Sequence, residues 1–430
     1  MIRATPISAP RSATIALDAS AAVWRRPADR VRGAATDLHL ELHTALADVE
    51  SEWRGFENGA ECTPFQSFEW LSAWHRHVGV RHGVVPAIAL GRYGDGNIAF
   101  VLPLAVAARC AARRLCFLGQ ELCDYNAPLL ARDFSQRITP DRFIALWREL
   151  RQRLQHDARL RHDWIDFEKM PQTVGVQLNP FMHLPVMANA NSAHLTYLGE
   201  AWDEFYRMKR SSATRRHDRS KRRRMETYGP IQFRSAVDAS ETAATLEILW
   251  EQNRRLFARK GIADIFAQPG YRDFFLDFAI NSRSRHLAHV SRLDIGDVCA
   301  AANFAIVFDD CYYHVLASYC DGQLAHYGPG ALHLRELMTY AIGRGLRRFD
   351  FTIGDEHYKN EWCDLRLQLF DYSAGASWRG RPSSAMANLR RSFKRFVKQT
   401  PALWQLALRL RAAFGALTTA RSLRAPGGNH

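Results

Sequence analysis

Residues 349–362 read FDFTIGDEHYKNEW, and the second half of that stretch holds two carboxylates (Asp355, Glu356), a phenol (Tyr358), an ammonium (Lys359) and an indole (Trp362). The first residues alternate as a buried strand does, with Asp350 between Phe349 and Phe351. Four polar groups behind a buried strand make poor core. As chemistry they are the parts of an acyl transfer. Asp355 or Glu356 would take the proton of an attacking amine or hydroxyl, and Tyr358 and Lys359 would donate to the oxyanion or the leaving group. The structural alternative pairs Lys359 with Glu356 or Glu361 and leaves Trp362 and Phe351 as core.

Upstream stands a second candidate, HYGPGALHLRE. Gly328 and Gly330 let the backbone approach a ligand. The amides of Gly330, Ala331 and Leu332 are expected free at a helix N-terminus, where phosphate binds; Gly-Pro-Gly equally makes an ordinary tight turn. The helix that follows carries Leu334, Leu337, Met338, Ala341 and Ile342 on one face. The order strand, glycine turn, helix, strand puts the turn and the GDEHYKNEW cluster on one sheet edge, beyond the carboxyl ends of the strands.

The rest of the chain must position these groups. From residue 37 a strand (DLHLELH), helices (TALADVESEWRGF, SFEWLSAWHRHVG), antiparallel strands hinged at Gly94-Asp95-Gly96, a helix (DRFIALWRELRQRLQHDARL) and a strand (DWIDFEKM) follow one another. The same order returns from IQFRSA onward, with RLQLFDYSAG and SWRGRP expected to close the sheet. The expected fold class is therefore α/β with a mixed sheet, as two duplicated units: residues 37–205 and 229–383. A basic helix at 206–228 would link them, either as a solvated connector or as a groove for phosphates. In the first unit Asp124 and Tyr125 stand at the end of an expected strand, where an Asp can simply cap a turn.

With 430 residues, 47% hydrophobic and 24% charged, the chain reads as an ordinary globular protein. Its net charge of +14 favours an anionic partner: nucleic acid, anionic lipid or a phosphorylated substrate. The eight cysteines form no CxxC pair, and no Cys/His spacing suggests a metal, so the thiols read as reduced and packed and the protein as cytoplasmic. No apolar run is long enough for a spanning helix. Residues 1–36 read as a disordered leader without the features of a secretory signal. Residues 384–430 are basic and amphipathic, fit to lie on an anionic membrane face or to pack on the domain.

The run from Gly328 to Trp362, GPGxxLHxxLMxxAIxxGxxxFDFxxGDExYKxxW, resembles the signature of CelD-type acetyltransferases, a branch of the tandem GNAT superfamily associated with cellulose biosynthesis. Supporting stretches are TPFQSFEWLSAWHRHVG, FLGQELCDYNAPLL and RSSATRRHDRSKRRRMETYGPIQF, so the likeness covers about residues 38–380. The branch is similar in turn to Fem-type aminoacyltransferases, in which a lysine near the end of the second domain lies by the acyl donor; Lys359 matches it. The resemblance implies two GNAT-like domains with a cleft near their junction and acyl transfer to an amine or hydroxyl of a saccharide or other envelope precursor. Acetyl-CoA or another acyl-CoA would be the donor, bound at Gly328, Gly330, Ala331 and Leu332, with no metal, and Asp124 and Tyr125, which match the family's Asp-Tyr pair, would face the cleft and orient the acceptor. The chain departs from the coenzyme A pattern at Ala325, where Gln or Arg is usual, and at Pro329, which removes one amide. Two rival readings follow: a Fem-like transferase using aminoacyl-tRNA, and a non-catalytic accessory subunit of a polysaccharide synthase.

Overall fold

The alternating segments of both halves pair into one mixed sheet of thirteen strands. The computed structural model describes residues 38–109 and 112–400. The leader expected at 1–36 and the tail beyond residue 400 lie outside them. The first half supplies β1 (His39–His43), β2 (Val85–Arg92), β3 (Ile98–Arg109), β4 (Ala112–Phe117), β5 (Trp164–Pro171) and β6 (Met187–Tyr197). The second supplies β7 (Ile231–Ser235), β8 (Ala288–Ile295), β9 (Val298–Phe308), β10 (Cys311–Tyr319), β11 (Arg348–Ile353) and β12 (Leu365–Gly375). Across the sheet the order is β1-β2-β3-β4-β5-β12-β6-β11-β10-β9-β8-β7, with the short strand Leu129–Leu130 beside β3. Five helices matter below: α1 (Pro140–His156), α2 (Ser212–Glu226), α3 (Ala239–Lys260), α4 (Pro329–Gly343) and α5 (Gly380–Gln399).

The order is a tandem duplication. β4 and β5 run parallel, joined through α1, and pair at Arg114 with Trp164 and Leu115 with Ile165. β10 and β11 run parallel, joined through α4, and pair from Cys311–Arg348 to Tyr313–Asp350. WIDFEK (164–169) and RFDFTI (348–353) match at an Asp-Phe pair, and each strand pairs in parallel at the residue before it. The two halves are fused at the centre, where β12 lies antiparallel to both β5 and β6, and β6 antiparallel to β11. Thus RLQLFDYSAG does not close the sheet but joins its halves, and SWRGRP is a turn leading into α5.

The halves also share a core. Trp70 of the first meets Phe274 and Phe278 of the second edge-on, with ring centroids 4.7 and 5.0 Å apart. Burying large aromatic surface in this way makes each half the other's core. The basic helix α2 is solvent-facing over most of its length and docks through one narrow face. Ser211 caps it, and its inward face seats Met225 and Asp218, the latter 3.0 Å from Arg335 of α4 and accepting from Tyr206 at 2.6 Å. Arg216, Arg219, Arg223 and Arg224 face solvent.

Candidate active site

β10 and β11 pair only as far as Tyr313 and Asp350, and beyond that they part into a notch. The cause lies in β11, whose register against β6 shifts between Asp350 and Ile353. Thr352 there adopts φ +56°, a left-handed conformation that a β-branched residue adopts only under compensation. Its amide donates to Asp350 at 2.7 Å and its hydroxyl to the His314 carbonyl at 3.3 Å. Gly354 follows at φ +127°, where a Cβ would fall 2.5 Å from the Glu356 carboxylate. That bend starts a short helix, His357–Asn360, which turns Lys359 back toward the strand. The Lys359 amine is buried, 2.9 Å from the Ile353 carbonyl and 3.0 Å from Glu356.

The first half reaches into the same place. Tyr125 donates its hydroxyl to both oxygens of Asp350 at 2.9 Å. Burial pushes the Asp350 carboxyl up to about 7; the Thr352 amide and the Tyr125 hydroxyl oppose this, and the charge of Asp124 adds to it. Burial likewise raises Asp124, against the pull of Lys169, the Thr352 hydroxyl and Lys359. Asp124 and Tyr125 therefore stand with Thr352, Glu356 and Lys359, as strand ends from two halves must if they share a site. His314 is driven down to about 3 by burial and by Lys359, and stays neutral beside the notch.

The remaining expected residues divide. Glu356 is half-exposed, and Lys359 is its ion partner, as in the structural alternative. Tyr358 sits edge-on to Phe351 and is held protonated by burial and by the Glu356 charge. Asp355 is the weaker candidate for a base. Although its partial burial works the other way, His194 at 3.3 Å, Lys398 at 2.7 Å and Arg366 at 3.5 Å hold its carboxyl well below the usual range. A carboxylate so stabilised is a poor proton acceptor. Trp362 is core, stacked on Phe205 and Tyr206.

The glycine turn needs a correction. Three free amides were expected at Gly330, Ala331 and Leu332, yet Ala331 and Leu332 donate to the Gly328 carbonyl at 3.1 and 3.2 Å. The helix begins one residue earlier than the expectation assumed: Gly328, at φ +73°, is the cap and Pro329 the first helical residue. Leu332 is then the fourth helical residue, where an amide is bonded as a matter of course. The Gly330 amide is the one of the three that does not turn back to that carbonyl. Gly330 packs against Tyr319 at the end of β10, so the turn and the Lys359 cluster share the edge of the sheet where the notch opens.

Sequence reasoning missed Asp350, Thr352 and Lys169. The Asp-Phe pair repeated in β5 and β11 was the available signal. Among the described residues no group of His, Cys, Asp and Glu is arranged to hold a metal, and no helix is long and apolar enough to cross a membrane.

Comparison with known proteins bears on the fold. Residues 212–360 match the family described as Acetyltransferase (GNAT) domain, which spans α2 to the short helix carrying Lys359. No curated protein matches the chain. Among solved structures the fold is similar to FemX, at 10% identity, covering 78% of this chain and 97% of that one with a TM-score of 0.50. A conserved protein of unknown function from Bacteroides thetaiotaomicron aligns at 12% identity over 77% of this chain and 99% of its own, with a TM-score of 0.48. A tandem GNAT protein from the clavulanic acid biosynthesis pathway aligns at 12% identity over 79% of this chain and 99% of its own, with a TM-score of 0.41. The protein is an acyltransferase carrying a GNAT-type domain in its second half.

Proposed function

We propose that the protein moves an acyl group from acetyl-CoA or another acyl-CoA to an amine or hydroxyl of a saccharide precursor, in the manner of the CelD-type enzymes its sequence resembles. The observation that carries this is the buried Lys359 at the open end of the β10–β11 notch, with Glu356 beside it and Asp124 across from it. Glu356 takes the proton of the nucleophile as that atom bonds to the thioester carbonyl carbon. Lys359 donates to the carbonyl oxygen as it gains charge. The carbon–sulfur bond then breaks, and Tyr358, which keeps its proton, supplies it to the leaving thiolate. The turn at Gly328–Leu332 receives the donor's phosphates through the Gly330 amide and the positive end of α4. Asp355 orients the loop through Lys398, Arg366 and His194.

The test is calorimetric titration with acetyl-CoA and free coenzyme A, wild type beside Gly330→Asp. An acidic residue at a helix N-terminus supports the helix while repelling phosphate, so loss of binding is not loss of fold. Affinity is expected to fall about tenfold or more. A wild type that binds neither ligand at millimolar concentration would sink the acyl-CoA reading.

Two observations favour additional readings. The solvent-facing arginines of α2 suit an RNA backbone, so aminoacyl-tRNA is the alternative donor; binding would then weaken steeply with salt. On α5, Met386, Leu389, Phe393 and Phe396 are 58–65% exposed along one stripe beside basic residues, which suits a peripheral position on an anionic membrane. Deleting residues 386–430 should release the protein from anionic vesicles. If a Lys359→Ala chain still supports polymer formation, the accessory-subunit reading takes over.

A further inference from the structure

A cavity of about 780 Å³ opens beside Gly354, Asp355 and Glu356. Its walls are the C-terminal end of α3, β12 and the last turns of α5, and they bring Arg259, Lys260, Arg366, Lys394, Arg395 and Lys398 around the two carboxylates. Three of these cations are engaged. Lys398 holds Asp355 at 2.7 Å and Asn191 at 2.6 Å, Arg366 holds Ser192 at 2.9 Å, and Arg259 reaches Asp321 at 3.7 Å. Among the described residues no carboxylate forms an ion pair with Lys260, Lys394 or Arg395. Burial and then Lys398 pull the Lys394 ammonium below its ordinary value, while Glu168 and Asp371, across the neighbouring cavity, pull it back.

Like charges converging on a concave space of small-ligand size raise the free energy of the empty site. A multivalent anion relieves it. The carboxylates at the cavity floor do not repel such an anion strongly, because Lys398 neutralises Asp355 and Lys359 neutralises Glu356. The position decides which substrate the anion belongs to. The donor's phosphates have their own place at the glycine turn after β10, whereas this cavity borders Glu356, the group that takes the nucleophile's proton.

We infer that the acceptor carries a phosphate or diphosphate, held by Lys260, Lys394 and Arg395 so that its amine or hydroxyl lies toward Glu356: a phosphorylated saccharide, nucleotide-linked or lipid-linked. This rests on the acyl-transfer reading above. The size of the space fits one diphosphate and one sugar and is too small for a nucleic acid duplex.

The experiment titrates inorganic pyrophosphate, UDP-glucose and glucose into protein already saturated with coenzyme A, so that the donor's phosphate site is filled. The comparison is the triple variant Lys260→Ala, Lys394→Ala, Arg395→Ala. All three residues are exposed, and circular dichroism checks that the variant folds. Pyrophosphate and UDP-glucose are expected to bind the wild type, about tenfold or more weaker to the variant, and glucose to neither. Phosphatidylcholine vesicles doped with polyprenyl phosphate form a parallel arm: variant-sensitive capture there, with UDP-glucose bound no more tightly than pyrophosphate, assigns the lipid-linked form. Equal binding by wild type and variant overturns the proposal, as does displacement of pyrophosphate by coenzyme A, which would place the donor's own phosphates in this cavity. Failure of the donor reading looks different: coenzyme A does not bind at all, while pyrophosphate still binds in a variant-sensitive way.

Discussion

The two halves of the sheet end their second parallel strand in the same way, with a buried Asp-Phe pair, and then use the aspartate differently. In the first half Asp166 meets Arg391 at 2.6 Å and Arg114 at 3.4 Å, and Arg391 also holds Glu168 at 2.6 Å and Asp371 at 3.5 Å. Arg391 comes from α5, which packs on β4, β5, β6 and β12 and walls a cavity of about 530 Å³ that also reaches Arg114, Asp166 and Glu168. In the second half Asp350 meets a neutral phenol. Duplication thus supplied two clefts. One holds its aspartate in a cluster of salt bridges, and the other keeps a buried acid raised to about 7 and a buried lysine engaged with Glu356. The proposed function puts its chemistry at the second of these strand ends and leaves the first to stability.

The strongest way to break that assignment is Arg391→Met. It leaves the buried carboxylates of Asp166 and Asp371, and the half-exposed Glu168, without their shared cation, and stability should fall by about 3–5 kcal/mol in urea unfolding. Acyl transfer per folded molecule should stay within a few-fold of wild type. A large loss of turnover in still-folded protein would move the active site to the first half. The mirror experiment is Lys359→Met, which should lower turnover by about 100- to 1000-fold, as loss of an oxyanion donor does. Its stability cost, from the stranded Ile353 carbonyl, should be about 1–3 kcal/mol. Unchanged turnover would make Lys359 a strut for the bulge and nothing more.

How far the sequence showed this difference depends on range. The glycine turn, α4 and the polar cluster after β11 were legible because each is a local pattern: a helical stripe, a strand alternation, residues unfit for core. Asp350 was read only as the polar member of an alternating strand. Its partner Tyr125 lies in the other half, so the contact that makes it a buried acid has no local signature. The centre of the sheet was illegible for the same reason. β6 opens with MANANS, whose alternating residues are only alanine and asparagine, poor strand formers, and it becomes a strand because β11 and β12 offer their edges to it. The end of α4 was misjudged by one residue, enough to promise three free amides where the Gly328 carbonyl takes two.

A sharper comparison uses pH. The Asp350 carboxyl titrates near 7 in the folded protein, above the value of about 3.9 it has when unfolded. Between those values the folded state holds more protons than the unfolded one, so this group's contribution to stability is full below the lower value and is lost as pH rises through about 7. Asp350→Asn removes that titration. Its stability relative to wild type should therefore improve from pH 5 to pH 8 by a few kcal/mol, read as the shift in urea midpoint at each pH. A constant offset between the two proteins would mean that Asp350 is ionised throughout.

The smallest effect tests how the open notch is held open. Both strands carry a left-handed residue near their ends, Lys169 at φ +58° and Thr352 at φ +56°. Lys169 is compensated by its amine, which donates to the carbonyls of Glu121 at 2.9 Å and Cys123 at 2.5 Å. Thr352 is β-branched, and its one hydroxyl bond to a carbonyl, at 3.3 Å, returns less. Thr352→Gly should accordingly raise stability by about 1 kcal/mol, whereas Lys169→Gly should lower it, since it loses two bonds with the strain. If the strain serves to splay β11 from β10, the more stable Thr352→Gly protein should also turn over more slowly, because its bulge no longer fixes the carbonyl that anchors Lys359. Gains in both stability and rate would show the left-handed turn to be a cost the site does not need.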